Sequence, residues 1–141
     1  ELEAAARRSG LAGCVSFLGA RPDVPAILEQ VDIVALPSLW EGLPNVLIEA
    51  MAASRCVAAT AVDGTLEVVE HGVTGLLTPP RDSAAMAEAL SRLVDDEALR
   101  RRMGAAGRAR AEREFRMERM IAQTEAVYRE VAATAERGAN G

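Results

Sequence analysis

Aromatic residues are scarce in this sequence, and their scarcity limits the fold classes that it favours. Only 3% of the 141 residues are aromatic although half are apolar, so alanine, valine and leucine supply most of the apolar content. That balance favours a helix-rich α/β domain over an all-β domain. The length fits one domain and not two.

Long apolar runs and a basic stripe are also missing. No run approaches the roughly 18 residues of a membrane span, and no signal peptide is visible. The formal net charge is −5, and the arginine-rich stretch 100–119 mixes both signs at helical spacing, which indicates a solvated helix face. We therefore predict no nucleic-acid partner and a cytoplasmic location, and leave open that the parent protein is peripheral at the membrane.

The sequence lacks an initiator methionine and has few cysteine and histidine residues. It opens within a run of helix formers, so we interpret the start as an internal cut or processing point. Cys14 and Cys56 each lie in an apolar run, which favours buried free thiols over a disulfide or a metal pair. The single histidine, His71, follows a predicted helix end beside Gly72, which favours a structural or solvent-exposed role.

Apolar runs and helix breakers alternate along the chain and predict its secondary structure. Strands are predicted at residues 14–18, 32–36, 56–60 and 74–78. Helices are predicted at residues 1–9, 23–30, 44–53, 65–70, 83–94, 97–115 and 117–136, followed by a frayed tail at 138–141. This alternation is typical of right-handed βαβ units, so the predicted fold class is α/β with a parallel sheet and flanking helices.

Residues 37–53, PSLWEGLPNVLIEAMAA, contain the strongest functional signal. A loop after the second predicted strand leads into a helix, at the carboxyl edge of the sheet where ligands bind. Unpaired amides at the helix start, with Gly42 allowing close approach, suit a diphosphate. Glu41 and Glu49 bracket this point, and a carboxylate readily accepts hydrogen bonds from sugar or ribose hydroxyls. Two alternatives are an exposed, solvated pair of glutamates and an acid–base pair for direct glycoside hydrolysis.

The order of motifs resembles that of a known enzyme family. Glu41-Gly42 followed by Glu49 is similar to the Glu-x7-Glu motif of the glycogen-synthase-like, "group 1" (family 4) retaining glycosyltransferases of GT-B architecture. The surrounding segments match in order: VSFLG (15–19), DIVALPS (32–38), EGLPNVLIEAMAA (41–53), VAAT (57–60), EVVEHGVTGLLTPP (67–80) and LRRRMGAAGRARAEREF (99–115). The resemblance covers nearly the whole chain and implies the partial, Rossmann-like C-terminal domain of such an enzyme over residues 1–141.

The resemblance implies a role for individual residues in binding a nucleotide sugar. Glu49 would bind the ribose hydroxyls, and Glu41 would lie at the donor sugar as the catalytic candidate. The remaining donor-binding candidates are the backbone of Gly42, Leu43 and Pro44 at the sugar, the amides of Asn45 and Val46 at the diphosphate, and Ala20 and Arg21 at the base. Members of the family usually need no metal, so no metal and no cofactor are expected.

The sequence departs from the usual family pattern at several positions near this motif. Ser54 stands where a glycine usually allows a positive φ at the helix end, so we expect strain there. Arg55, Cys56 and Leu66 also replace the usual residues, and Asp63 adds a negative charge near the predicted diphosphate site. A relaxed, non-catalytic binding module is therefore an alternative; an epimerase of the same architecture fits the motif less well.

The resemblance also implies that two strands and a whole domain are absent. The family's C-terminal domain begins with two further strands that carry cationic residues for the diphosphate, and its N-terminal domain binds the acceptor. In the strand order 3-2-1-4-5-6 the missing strands separate residues 14–18 from residues 32–36, by about 14 Å at the usual strand spacing. The missing N-terminal domain is thus an expected partner.

Overall fold

The computed structural model describes the backbone of residues 1–139 and the side chains of residues 1–135. Three strands and seven helices are assigned in this part of the chain. They are, in order, α1 (Leu2–Arg8), α2 (Val24–Leu28), β1 (Ile33–Leu36), α3 (Asn45–Ala52), β2 (Cys56–Thr60), α4 (Asp63–Val68), β3 (Gly75–Thr78), α5 (Ser83–Asp95), α6 (Glu97–Glu114) and α7 (Met117–Ala139). The α/β fold class is confirmed.

The strands form one parallel sheet in the order β1-β2-β3. Ile33 of β1 lies opposite Cys56 of β2, and Val57 of β2 lies opposite Gly75 of β3. Because all three strands run in the same direction, the segments that follow them meet at one edge of the sheet. The loop between β1 and α3 is one of these segments.

Side chains alternate between the two faces of the sheet, as the two-residue period of a strand requires. α3 and the C-terminal part of α6 cover one face, and α5 and the N-terminal part of α6 cover the other. The first core includes Leu47, Met51, Val57, Ala59, Val68 and Ala111. The second includes Cys56, Ala58, Leu76, Leu93, Leu99 and Met103. None of the helices in the described residues is long and apolar enough to cross a membrane.

Helix α3 ends in a left-handed turn at a non-glycine residue. Ser54 has φ 59°, and its amide donates to the Met51 carbonyl at 2.9 Å while the Arg55 amide donates to the Ala50 carbonyl at 2.8 Å. This pair of bonds is the Schellman motif, in which glycine usually occupies the left-handed position. The expectation of a strained serine at this position is confirmed.

The predicted strand at residues 14–18 is wrong. Residues 15–19 have no regular secondary structure, and the side chains of Val15, Phe17 and Leu18 are exposed. A strand forms its hydrogen bonds with a neighbouring strand, and none of the strands in residues 1–139 lies beside this segment. The predicted burial of Cys14 is wrong for the same reason, whereas Cys56 is buried as predicted; both are free thiols.

Several helix ends differ from their predicted positions. α4 begins at Asp63, two residues before its predicted start, and Gly64 is part of its first turn. Asp23 is at the N-cap of α2, but its carboxylate does not cap the helix. α7 includes residues up to Ala139, three beyond its predicted end, and residues 140 and 141 of the predicted frayed tail lie outside the described residues.

Candidate functional site

The start of α3 offers backbone donors that the protein itself does not use. Pro44 is the N-cap, and no side chain caps the helix. Its carbonyl accepts from the amides of Leu47 and Ile48, at 2.9 and 3.4 Å. The amides of Asn45 and Val46 have no hydrogen-bond partner in the described part of the chain. These donors and the positive end of the helix dipole can bind an anion at the carboxyl edge of the sheet.

Glu41 is held in the loop before α3 through its carboxylate and through its backbone carbonyl. It is half-buried, and the Ser38 hydroxyl donates to its Oε1 at 2.6 Å. The Gly64 amide donates to the Glu41 carbonyl at 3.3 Å. The Thr60 hydroxyl, at the end of β2, donates to the Ser38 carbonyl. The loop is therefore hydrogen-bonded to β2 and to the first turn of α4.

Glu49 lies further along α3 and is exposed. Among the described side chains, none forms an ion pair or a hydrogen bond with its carboxylate. A carboxylate without an internal partner keeps its full capacity to accept hydrogen bonds from a ligand. The two glutamates of the motif thus differ: Glu41 is held by the protein, and Glu49 is free.

Gly42 and Leu43 form the tip of the loop. Both are exposed, and the Leu43 side chain keeps 51% of its accessible surface. A Cβ added to Gly64 would overlap the Gly42 carbonyl and come within 3.2 Å of the Leu43 Cα. Gly64 therefore allows the loop tip to pack directly on the start of α4. This contact could not be predicted from a local pattern, because it joins two segments about twenty residues apart.

Arg21 belongs to another segment, the bend before α2. Its guanidinium binds the Asp23 carboxylate through Nε at 2.8 Å and Nη2 at 2.5 Å. This pair holds the pKa of Asp23 below its usual range. No hydrogen bond or ion pair within the described residues connects Arg21 to the Glu41 loop, so the structure does not join this predicted site residue to the others. Asp63, whose charge was expected near the site, is exposed at the start of α4.

A cleft of about 360 Å³ opens at the same edge of the sheet. Leu39 and Thr60 line it on one side, and Arg81 and Met86 on the side of α5. Arg81 has φ 62° and is exposed directly before Asp82, which caps α5 through the Ala85 amide. Arg81 is not among the residues predicted for the site, although its place after two prolines and before a capping aspartate marks it as a turn residue.

The described residues contain no group of three or more histidine, cysteine or acidic side chains that could hold a metal ion. The expectation that the reaction needs no metal stays a prediction. His71 is exposed, and its Nδ1 accepts a hydrogen bond from the Leu77 amide at 3.0 Å, which is a structural role.

The chain is similar in sequence to known glycosyltransferases. A family model described as "Glycosyl transferases group 1" matches residues 1–96. The N-acetyl-alpha-D-glucosaminyl L-malate synthase of Bacillus anthracis is 37% identical over 117 residues, which are 83% of this chain and 31% of that protein.

Solved structures of larger proteins contain the same fold. Sucrose-phosphate synthase from Thermosynechococcus elongatus matches with a TM-score of 0.89 and 32% identity, over 94% of this chain and 34% of that one. Anabaena HepE in complex with UDP-glucose matches with a TM-score of 0.83 and 32% identity, over 89% of this chain and 36% of that one. The chain spans about a third of the length of the relatives it matches. The family model matches more than half of the chain, and these relatives have the GT-B architecture. The chain therefore belongs to the group 1 family of glycosyltransferases.

Proposed function

We propose that this chain is the donor-binding part of a retaining glycosyltransferase, which transfers a sugar from a nucleoside diphosphate to an acceptor. The observation that carries the proposal is the uncapped start of α3, placed between Glu41 and Glu49 at the carboxyl edge of the sheet. Backbone amides without partners are suited to a diphosphate, and carboxylates to hydroxyl groups. The UDP-glucose complex of HepE, a relative of the same fold at 32% identity, supports the same class of ligand.

Each group in the site has a defined role in this proposal. The amides of Asn45 and Val46 bind the diphosphate, and the Glu49 carboxylate accepts hydrogen bonds from the ribose hydroxyls. Glu41 accepts a hydrogen bond from the transferred sugar, whose other side faces the backbone of Gly42, Leu43 and Pro44. The backbone at Ala20 and Arg21 contacts the base.

The chemistry follows from where charge develops during transfer. As the bond between the anomeric carbon and the diphosphate oxygen breaks, negative charge accumulates on the leaving diphosphate. Fixed amides and the helix dipole at the start of α3 stabilise that charge without reorganising. The residues of this chain supply this stabilisation and orient the donor, and the proposal includes no metal ion or other cofactor.

The proposal assigns acceptor binding to another part of the full-length enzyme, in an N-terminal domain. Retention of anomeric configuration is tested by NMR of the transfer product, in which the anomeric coupling constant distinguishes retention from inversion.

The proposed site of action is the cytoplasm, in keeping with the free thiols of Cys14 and Cys56.

Glu49→Ala in the full-length enzyme tests the donor site. We expect the donor KM to rise by roughly tenfold to a hundredfold, because a charge-assisted hydrogen bond contributes about 1.5–3 kcal/mol. Steady-state kinetics measure the donor KM. Calorimetry measures the Kd for UDP-glucose, UDP-N-acetylglucosamine and GDP-mannose, and for the corresponding nucleoside diphosphates.

Glu88→Ala is the matched control, because Glu88 is also an exposed glutamate within a helix, α5, away from the start of α3. It should leave donor affinity unchanged. Equal affinities for the wild type and the Glu49 variant would remove Glu49 from the site. If none of the nucleotide sugars bound to the wild-type enzyme, the result would favour a non-catalytic module.

A further inference from the structure

We infer that Ser38 and Thr60 are positioning residues for Glu41: they fix one oxygen of its carboxylate so that the other faces the donor sugar. The inference deepens the proposed function and rests on it. Neither residue belongs to the Glu-x7-Glu motif, and neither was singled out from the sequence.

The hydroxyl of Ser38 fixes the rotation of the Glu41 carboxylate. It donates to Oε1 at 2.6 Å, a short distance typical of a hydrogen bond to a charged acceptor. A carboxylate has two oxygens, so Oε2 stays available as an acceptor. Without the serine hydroxyl, the carboxylate would rotate between several orientations, and a donor hydroxyl would have to select one of them.

Thr60 holds Ser38 in turn. Thr60 is the last residue of β2, is only 4% exposed, and donates its hydroxyl to the Ser38 carbonyl. The backbone of Ser38, which carries that hydroxyl, is therefore held by a buried residue of the central strand. Gly64 holds the backbone of Glu41 from the other side through its amide. The loop that carries the carboxylate is therefore held by β2 at Ser38 and by the first turn of α4 at Glu41.

The side-chain partner of the Glu41 carboxylate is a neutral hydroxyl, which suits a carboxylate that binds a ligand. Among the described residues, Glu41 forms no ion pair with arginine, and the Ser38 hydroxyl is its side-chain hydrogen-bond partner. A neutral hydroxyl orients the carboxylate without neutralising it, whereas an arginine would compete for the same oxygens. Among the described residues, no cation therefore competes with the sugar for the Glu41 carboxylate.

The test compares nucleotide sugars with their nucleoside diphosphates in the full-length enzyme. The probes are UDP-glucose, UDP-N-acetylglucosamine and GDP-mannose, with UDP and GDP as ligands that lack the sugar. We expect Ser38→Ala to leave the Kd of the nucleoside diphosphate unchanged. It should reduce both the extra affinity contributed by the sugar and the kcat of transfer or donor hydrolysis, by about tenfold. Ser38→Thr keeps the hydroxyl and should keep both the sugar contribution to affinity and kcat. Thr60→Val should reduce both by a smaller factor, and Thr60→Ser, which keeps the hydroxyl, should not.

A double-variant cycle separates positioning from a general structural effect. In the Glu41→Gln background, Ser38→Ala should cause no further loss, because both changes act on the same carboxylate. Ser91→Ala, on the exposed face of α5, is the control and should change none of these values. Losses that multiply in the double variant, or an unaltered sugar contribution in Ser38→Ala, would overturn the inference. If Glu41→Gln itself left sugar affinity and kcat unchanged, the proposed role of Glu41 would fail instead.

Discussion

Ser54 is in a backbone conformation that L-residues other than asparagine and aspartate rarely adopt. With φ at 59°, the amides of Ser54 and Arg55 donate to two carbonyls at the end of α3. In the same conformation the Cβ of Ser54 is crowded against the backbone. No hydrogen bond of the Ser54 side chain is found among the described residues, so no such bond offsets the strain. The strain is therefore a cost to stability that a glycine would relieve.

We expect Ser54→Gly to stabilise the protein by about 0.5–1 kcal/mol, because glycine adopts positive φ without strain but loses more chain entropy on folding. Thermal and denaturant unfolding measure the change. Ser91→Gly is the matched control: the same substitution inside α5 should destabilise by a similar amount. A destabilised Ser54 variant would show that the serine side chain has a stabilising contact.

The two cysteines differ in burial and should therefore differ in reactivity. Desolvation by burial raises the pKa of the Cys56 thiol to about 11, against a smaller lowering by the charge of Arg100. Because the thiolate is the reactive form, Cys56 should resist iodoacetamide at pH 8 in the folded protein while the exposed Cys14 reacts. Mass spectrometry of the alkylated protein measures both sites. Rapid modification of Cys56 under native conditions would contradict its burial.

The same shift in pKa predicts a dependence of stability on pH. In the unfolded chain the Cys56 thiol ionises near its ordinary value of about 8.5, whereas the folded protein holds the proton to about pH 11. The contribution of the thiol is complete below the unfolded value and is lost as the pH rises through the folded value. Denaturant unfolding at several pH values should show a larger loss in the wild type than in Cys56→Ala.

At the scale of elements, the crossing of α6 over α3 depends on two small residues. A Cβ added to Gly104 would overlap the Ser54 carbonyl, and one added to Gly107 would lie 3.1 Å from the Met51 Cγ. The absence of side chains lets α6 pass from one face of the sheet to the other while touching the end of α3. This contact also supports the helix whose start forms the candidate site.

We expect Gly104→Ala to destabilise the protein by about 1–3 kcal/mol through overpacking, although alanine favours helix by roughly 1 kcal/mol. Denaturant unfolding measures the change. Ala105→Gly on the exposed side of α6 is the control for helix propensity alone. A Gly104 variant as stable as the wild type would mean that α6 can move away from Ser54 at little cost.

At the scale of the whole molecule, two of the exposed apolar stretches lie outside the Glu41 loop. One is the segment before α2, where Phe17 and Leu18 keep 47% and 55% of their accessible surface. The other is α7, which has six exposed apolar side chains in two groups: Met117, Met120 and Ile121, then Val127, Tyr128 and Val131. Exposed apolar patches of this kind mark surfaces that bind other protein.

We expect the chain alone to transfer no sugar and to self-associate at micromolar concentrations. The apolar segment before α2 and the face of α7 would then be covered by other copies. Light scattering coupled to gel filtration measures the association, and donor turnover measures activity. A monomeric chain that transferred sugar would contradict both expectations and the proposal that the acceptor site lies elsewhere.

The sequence by itself determined the parts of the fold that local patterns encode. Short apolar runs predicted β1, β2 and β3, with prolines directly after β1 and β3. The motif around Glu41 and Glu49 predicted α3 and the position of the candidate site. Parallel topology follows from the alternation of these elements, so the edge at which the site lies could also be predicted. The left-handed conformation of Ser54 was predicted because the family pattern has a glycine at this position after the helix.

Tertiary structure decided everything that depends on which segments become neighbours. Residues 14–18 have the composition of a strand, but none of the strands within residues 1–139 lies beside them, so their ladder does not form and Cys14 is exposed. The contacts of Ser38 with Thr60, and of Glu41 with Gly64, join segments more than twenty residues apart, and no local pattern encodes them. A hydrogen bond requires its partner at a fixed distance and angle, and only the packed sheet sets that geometry.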